Sequence, residues 1–223
     1  FQYFFNFEDG RFFSQVVTLD EKSKIYADET KTPEKFQKFT ALDNSKCSIC
    51  PLNSATHPEC PLAKNVVNLV YNFRDYLSYS KVVVRVVGAH RTYEQPCDLQ
   101  KGLQSILGLV IAASACPITA FLRPMALQHL PFSNASETLI RSLGFFFVQK
   151  YLTEKDGKLE ISELLNNYTK MQQLNLGIIG RINSLETGDA NRNAIVILNT
   201  FAEMLKLSYD DNMNDLKPFF NIS

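Results

Sequence analysis

Three cysteines and a histidine fall within fourteen residues, Cys47-Ser-Ile-Cys50 followed by His57 and Cys60, and no other stretch constrains the fold as much. Four soft or borderline donors on one short segment can close on a tetrahedral ion. The two-residue gap lets the first pair of sulfurs reach that ion from a tight turn. Zinc is the expected occupant because the set includes an imidazole, and an iron–sulfur cluster is the alternative. A four-coordinate zinc here is structural, since a catalytic zinc keeps an open position. The competing reading is three reduced thiols packed as small apolar side chains. Pro51, Pro61 and Pro117, each directly after a cysteine, stiffen the backbone on either reading.

The chain has 223 residues and 45% hydrophobic content, enough for one large domain or two small lobes with a proper core. Its 23 basic and 23 acidic residues cancel, so no overall field draws nucleic acid or an anionic membrane surface. Five cysteines, an odd number with three in one loop, fit a reducing compartment better than a secreted disulfide framework. The N-terminal residues carry no export pattern, and the expectation is a cytoplasmic protein. Leu103 to Leu122 is apolar and long enough to span a bilayer. Gln104, Ser105, Ser114 and Pro117 interrupt it, however, and it reads as a buried core helix.

The expected fold class is α+β, a small N-terminal antiparallel β lobe over residues 1–46 followed by a mainly helical bundle over 62–223. The cysteine-rich loop, 47–61, joins them. Aromatic and β-branched residues over 2–19, with Asp9-Gly10 between two runs, predict a hairpin with a two-residue turn. A short strand is expected over Lys24–Ala27, and a brief helix from Thr32-Pro33-Glu34 to near Leu42. Val82, Val83, Val84, Val86 and Val87 predict a strand near 81–87, buried on both faces and pairing with the N-terminal lobe. Helices follow over about 62–77, 98–115, 139–152, 159–185 and 189–207. Asn134 to Glu137 reads as a capping box, Asp156-Gly157 as a turn, Gly188 as a helix stop and Asp189 as a cap. A last helix over about 210–220 has Pro218 inside it. Gly102, Gly108 and Gly144 sit in helical stretches, where close helix packing accounts for them.

The order of these segments resembles an uncharacterised bacterial family of unknown function. The residues that carry the likeness are Cys47-x-x-Cys50-Pro51-Leu52, Cys60-Pro61-Leu62-Ala63, Arg91-Thr92-Tyr93 and Ser114-Ala115-Cys116-Pro117. Arg123-Pro124-Met125-Ala126-Leu127-Gln128-His129-Leu130-Pro131-Phe132, then Glu137-Thr138 and Arg141, complete it. Ala115 stands where the family pattern places glycine. The resemblance implies a later Cys-Pro beside the three loop cysteines, which makes Cys116 the alternative to His57 as fourth ligand. It implies no activity.

A second constellation is polar: Arg123, His129, Glu137 and Arg141, with Arg181 further on. Glu137 and Arg141, four apart, can form an ordinary helical ion pair. On the functional reading, Arg123 and His129 sit on proline-bounded backbone, line a cleft and meet a small anionic ligand. No catalytic motif names a reaction. Phe145, Phe146 and Phe147 cannot all face one core, which leaves a homodimer or protein partner open. The leading expectation is a metal-binding regulatory or binding module. The alternatives are an enzyme or receptor for a small anion, and an iron–sulfur or thiol redox sensor.

Overall fold

Tyr3, Phe5 and Phe7 alternate with more polar or less buried neighbours, which gives strand β1 (Gln2–Phe7) a single core face. The computed structural model describes residues 1–21, 25–26, 33–153, 160–185, 189–211 and 213–221. Strand β2 (Phe12–Val16) pairs antiparallel with β1. The connecting turn differs from the two-residue form expected. The Gly10 amide bonds the Phe7 carbonyl and the Phe7 amide bonds the Arg11 carbonyl, so Glu8, Asp9 and Gly10 make a three-residue loop. Gly10 takes the left-handed position at φ 86°, where a side chain would be strained.

Strands β3 (Lys81–Val87) and β4 (Thr92–Asp98) complete a sheet of order β2-β1-β3-β4, antiparallel at every pairing. The strand expected over 81–87 thus pairs with the N-terminal hairpin, but it is not buried on both faces. Val82, Val84 and Val86 are buried, Val83 and Val87 only partly, and Lys81 and Arg85 are exposed. The sheet is a one-sided layer, and alternation rather than an apolar run describes its strand. Pro96 lies within β4. It stands opposite Val83 on the edge strand, which needs backbone donors on one side only.

A 3₁₀ turn at Glu34–Phe36 runs into the short helix α1 (Gln37–Thr40). The helix expected over 62–77 is α2 (Pro61–Asn72), with Pro61 in its first turn and Phe73 at its end. Helix α3 (Leu99–Ala112) follows β4 directly, and ten of its fourteen residues are buried. A Cβ at Gly102 would stand 2.7 Å from Val84 Cγ2 and 2.9 Å from Phe5 Cε1, so α3 lies on the sheet at a distance only glycine allows. Gly108 would meet Leu198 at an ordinary 3.6 Å and Gly144 would meet nothing within 4 Å, so close packing explains neither.

A 3₁₀ segment (Pro117–Leu122) leads into α4 (Arg123–Leu127). Helix α5 (Ala135–Thr153) opens on the expected capping box, with the Asn134 amide donating to Glu137 Oε2 at 2.8 Å and the Glu137 amide to Asn134 Oδ1 at 2.9 Å. Helices α6 (Ser162–Asn183) and α7 (Asp189–Asp210) pack along each other, α7 also packs on α3, and a 3₁₀ segment (Asn214–Phe220) follows. Asp189 does more than open α7, since its carboxylate accepts the Ser78 amide at 2.8 Å and the Ser78 hydroxyl at 3.0 Å. Of the strand expected over Lys24–Ala27, only Ile25 and Tyr26 are described, and neither is in a strand; the Tyr26 amide bonds the Ala113 carbonyl at 2.9 Å. Thr32, Asp156-Gly157 and Gly188 lie outside the described residues.

Among the described residues no single helix is long and apolar enough to cross a membrane. The α3 segment with Pro117–Leu127 passes on length and composition only as a pair bent by 107°. Phe146 is buried in a second apolar cluster with Leu164, Tyr168 and Leu205, and Phe147 packs on that cluster's edge.

Gly102→Ala is expected to destabilise the protein by about 1–3 kcal/mol through overpacking between α3 and the sheet. Gly144→Ala should be neutral or stabilising by up to about 1 kcal/mol, because nothing opposes its methyl and helix propensity favours it. Urea denaturation of the two variants measures the contrast, and equal midpoints would contradict it.

Candidate functional site

Helices α3, α5, α6 and α7 line a half-open cavity of about 450 Å³, with α4 and the loop that follows it as the remaining wall. Leu109, Met171, Leu198 and Phe201 make the lining largely apolar, and a few polar groups converge in it: Ser105, His129, Arg141, Tyr168 and Asn175. The loop is held in an uncommon shape. Phe132 adopts φ 60°, a left-handed conformation unusual for a residue with a bulky side chain, and its amide donates to Ser105 Oγ at 3.3 Å.

His129 is fixed from the sheet side. Its Nε2 lies 2.5 Å from the Tyr3 hydroxyl, which also bonds Ser105 Oγ at 2.8 Å, and the Phe1 ring meets the imidazole edge-on. Burial, and then the Arg141 guanidinium, push the His129 pKa down to about 3. The imidazole is therefore neutral at physiological pH. Burial likewise raises the Tyr3 hydroxyl above its ordinary range and holds Tyr168 up at about 12, so both stay protonated.

Arg141 projects from α5. One of its terminal nitrogens bonds the carbonyls of Gln128 and Met125, tying α5 to the end of α4. Among the described residues no carboxylate comes within ion-pair distance of it, and burial lowers its pKa. The ordinary Glu137–Arg141 pair is not formed, because the Glu137 carboxylate is taken by the Asn134 amide. Asn175, on α6, is 2% exposed, and its Oδ1 is buried without a hydrogen-bond partner.

Of the residues singled out in the sequence, His129 and Arg141 line the cavity, while Arg123 and Glu137 do not. Arg123 is half-buried at the start of α4, with its Nε buried and unpartnered. Asn175, Tyr3, Ser105 and Tyr168 were not anticipated. The signal for Asn175 was available: it falls in phase with Tyr168, Met171, Ile178 and Ile182, the apolar stripe of α6, where a polar residue is out of place.

The cysteine loop packs against α6 on a different side. The Cys50 amide bonds the Cys47 carbonyl at 3.0 Å, closing the two-residue turn, and the Cys60 amide bonds Thr40 O at 2.7 Å. All five cysteines are free thiols. His57 is exposed, with Nδ1 3.0 Å from Thr56 Oγ1. Arg181, 2% exposed, bonds the carbonyls of Phe39, Ala41 and Leu42. Among the described residues no three Cys, His, Asp or Glu side chains are already gathered to hold an ion.

The depressed His129 pKa gives a pH dependence of known sign. The folded state holds the imidazole neutral to about pH 3, whereas the unfolded chain protonates it near its ordinary 6.5. The stability linked to this group is therefore complete above about pH 6.5 and is lost progressively as pH falls toward 3. Melting temperature measured against pH should show that decline, and His129→Gln should flatten it within that window. An unchanged slope in the variant would contradict the assignment.

No curated protein and no solved structure gives a significant match to this chain. A family model matches residues 1–221, nearly the whole length. On that coverage the chain belongs to DUF6901, a domain of unknown function.

Proposed function

We propose that the protein binds a small organic anion, with the apolar body of the ligand in the α3–α5–α6–α7 cavity and its acidic group at Arg141. One observation carries this reading: Arg141, a guanidinium with no carboxylate within ion-pair distance among the described residues, lines an apolar cavity, and Asn175, a polar residue on the buried stripe of α6, lines the same cavity. A volume of about 450 Å³ suits a molecule of metabolite size.

The arrangement favours binding over turnover. His129, neutral to about pH 3, is a hydrogen-bonding group at physiological pH and a poor proton shuttle. Ser105 Oγ is already engaged by Tyr3 and by the Phe132 amide. The five free thiols support a reducing setting, and we place the protein in the cytoplasm on that ground.

A thermal-shift panel of aromatic and medium-chain monocarboxylates, each paired with its uncharged amide, tests this. The acids should raise the melting temperature and the amides should not. Calorimetric titration of the best acid should weaken by at least about tenfold in Arg141→Met, and by less in Asn175→Leu, because charge-assisted hydrogen bonds are the stronger kind. Equal response to acids and amides, or undiminished affinity in Arg141→Met, would sink the proposal.

A further inference from the structure

The two edges of the sheet are built differently. Beyond the ends of β4, the Gly88 amide bonds the Arg91 carbonyl and the Leu99 amide bonds the Ser80 carbonyl, both at 2.9 Å. Bonding alternates along an antiparallel pair, so Tyr93, Gln95 and Cys97 turn their backbone groups to β3 while Thr92, Glu94, Pro96 and Asp98 turn theirs outward. That edge is closed to a further strand. Pro96 has no amide to offer at its middle, and Glu94 and the Lys81–Asp98 ion pair set charge along it.

The β2 edge has neither device. The Val17 amide bonds the Phe1 carbonyl at 2.8 Å and the Phe7 amide bonds the Arg11 carbonyl at 3.0 Å, which puts Gln15 and Phe13 in the same phase toward β1. Phe12, Ser14 and Val16 therefore aim their amides and carbonyls away from the sheet. Among the described residues no other backbone group bonds to them, and the Val16 carbonyl is met only by the Gln15 side-chain amide at 3.0 Å. The chain after β2 passes to the helix side, where the Tyr26 amide bonds the Ala113 carbonyl and Asn65 Nδ2 bonds the Tyr26 carbonyl. Phe12 is 60% exposed and Val16 52%, the Phe4 ring lies 6.1 Å from that of Phe12, and no charged residue occurs from Phe12 to Val16.

We propose that β2 pairs antiparallel with β2 of a second copy of this chain, Ser14 facing the partner's Ser14 across a two-fold axis, so that two four-stranded sheets become one continuous sheet. The edge is its own complement. In this register Phe12 faces Val16 of the partner subunit on each side of the axis, and all three cross-pairs fall in the hydrogen-bonded phase. Every outward amide and carbonyl of Phe12, Ser14 and Val16 is then used, with the Gln15 side chain yielding the Val16 carbonyl. Apolar meets apolar and no like charges are opposed, which is why a second copy fits better than a strand of unrelated sequence. Five residues a side make a small interface, and association through it is reversible.

This surface is separate from the ligand cavity, whose lining includes no residue of β2, so failure here leaves the reading of the cavity untouched. Sedimentation equilibrium of wild type from about 5 to about 500 μM should show a monomer–dimer equilibrium. Amide exchange followed by NMR over the same range should slow at least about tenfold at Phe12, Ser14 and Val16, while Phe13 and Gln15 stay protected at both ends. Ser14→Pro removes the central outward amide as Pro96 does on β4 and leaves the β1 bonds in place, so it should be monomeric throughout. Ser14→Lys, at an exposed position, is the second variant should Ser14→Pro fail to fold; it sets two like charges directly opposite and should weaken the dimer at least about tenfold. A wild type that stays monomeric, exchange at the three amides that ignores concentration, or a dimer undiminished in Ser14→Lys would each overturn the proposal.

Discussion

Burial of α3 on several sides is the constraint from which the rest of the architecture follows. A helix this apolar cannot face water, and one sheet face is too narrow to cover it. Val84 and Phe5 close one side through Gly102, α7 covers another, and α2, α4 and the 3₁₀ segment before it fill the remainder. The four-stranded sheet is one-sided for the same reason, since one face meets α3 and the Phe73 and Tyr76 rings that follow α2, and the other is left to half-buried and charged residues.

Within that apolar interior the polar groups divide into two kinds. Arg181 is satisfied: three carbonyls of the α1 region accept its donors, which fixes the chain before the cysteine loop onto α6 over a long sequence separation. Asn191 is half satisfied: its Nδ2 donates to the Val70 carbonyl at 2.9 Å, linking α7 to α2, while its Oδ1 is buried without a partner. Arg123 Nε and the Oδ1 atoms of Asn175, Asn191 and Asn199 are buried without a hydrogen-bond partner, and of these residues Asn175 lines the cavity. Ser105 and His129 complete the cavity's polar wall, and the Tyr3 hydroxyl, buried behind them, bonds both and ties the sheet to α3 and to the loop after α4.

Helix α6 joins the two regions of chemical interest. Asn175 faces the cavity, and two residues later Gly177 faces Cys47, a change of side that helical geometry supplies at about 100° per residue. The same helix therefore has to be apolar for α7, polar at one point for the cavity, and stripped of side chains for the loop. Its low overall hydrophobicity, with Asn166, Thr169 and Lys170 exposed and Gln173 accepting a hydrogen bond from Ser48 of the cysteine loop, reflects how little of its circumference is left for ordinary packing.

Local patterns determined the secondary structure. The aromatic alternation of 2–7 with a glycine turn, the valine run at 81–87, the capping box at 134–137 and the apolar periodicity of α6 and α7 each specify an element through contacts between near neighbours, and such contacts are written in the sequence. Boundaries and faces were less legible. Pro96 is acceptable in a strand only because β4 is an edge, and β3 is half-exposed only because the sheet has one covered side; neither fact exists until the strands are assembled. The sites divide in the same way. Thiols at 47, 50 and 60 are neighbours along the chain, whereas Cys116 joins their surroundings only through the packing of its 3₁₀ segment on α6. His129 and Arg141 were identifiable as polar residues near irregular backbone, but their joint exposure to one cavity, with Asn175 left unpartnered across it, depends on how four helices close around α3. That is a matter of long-range packing, which no local spacing encodes.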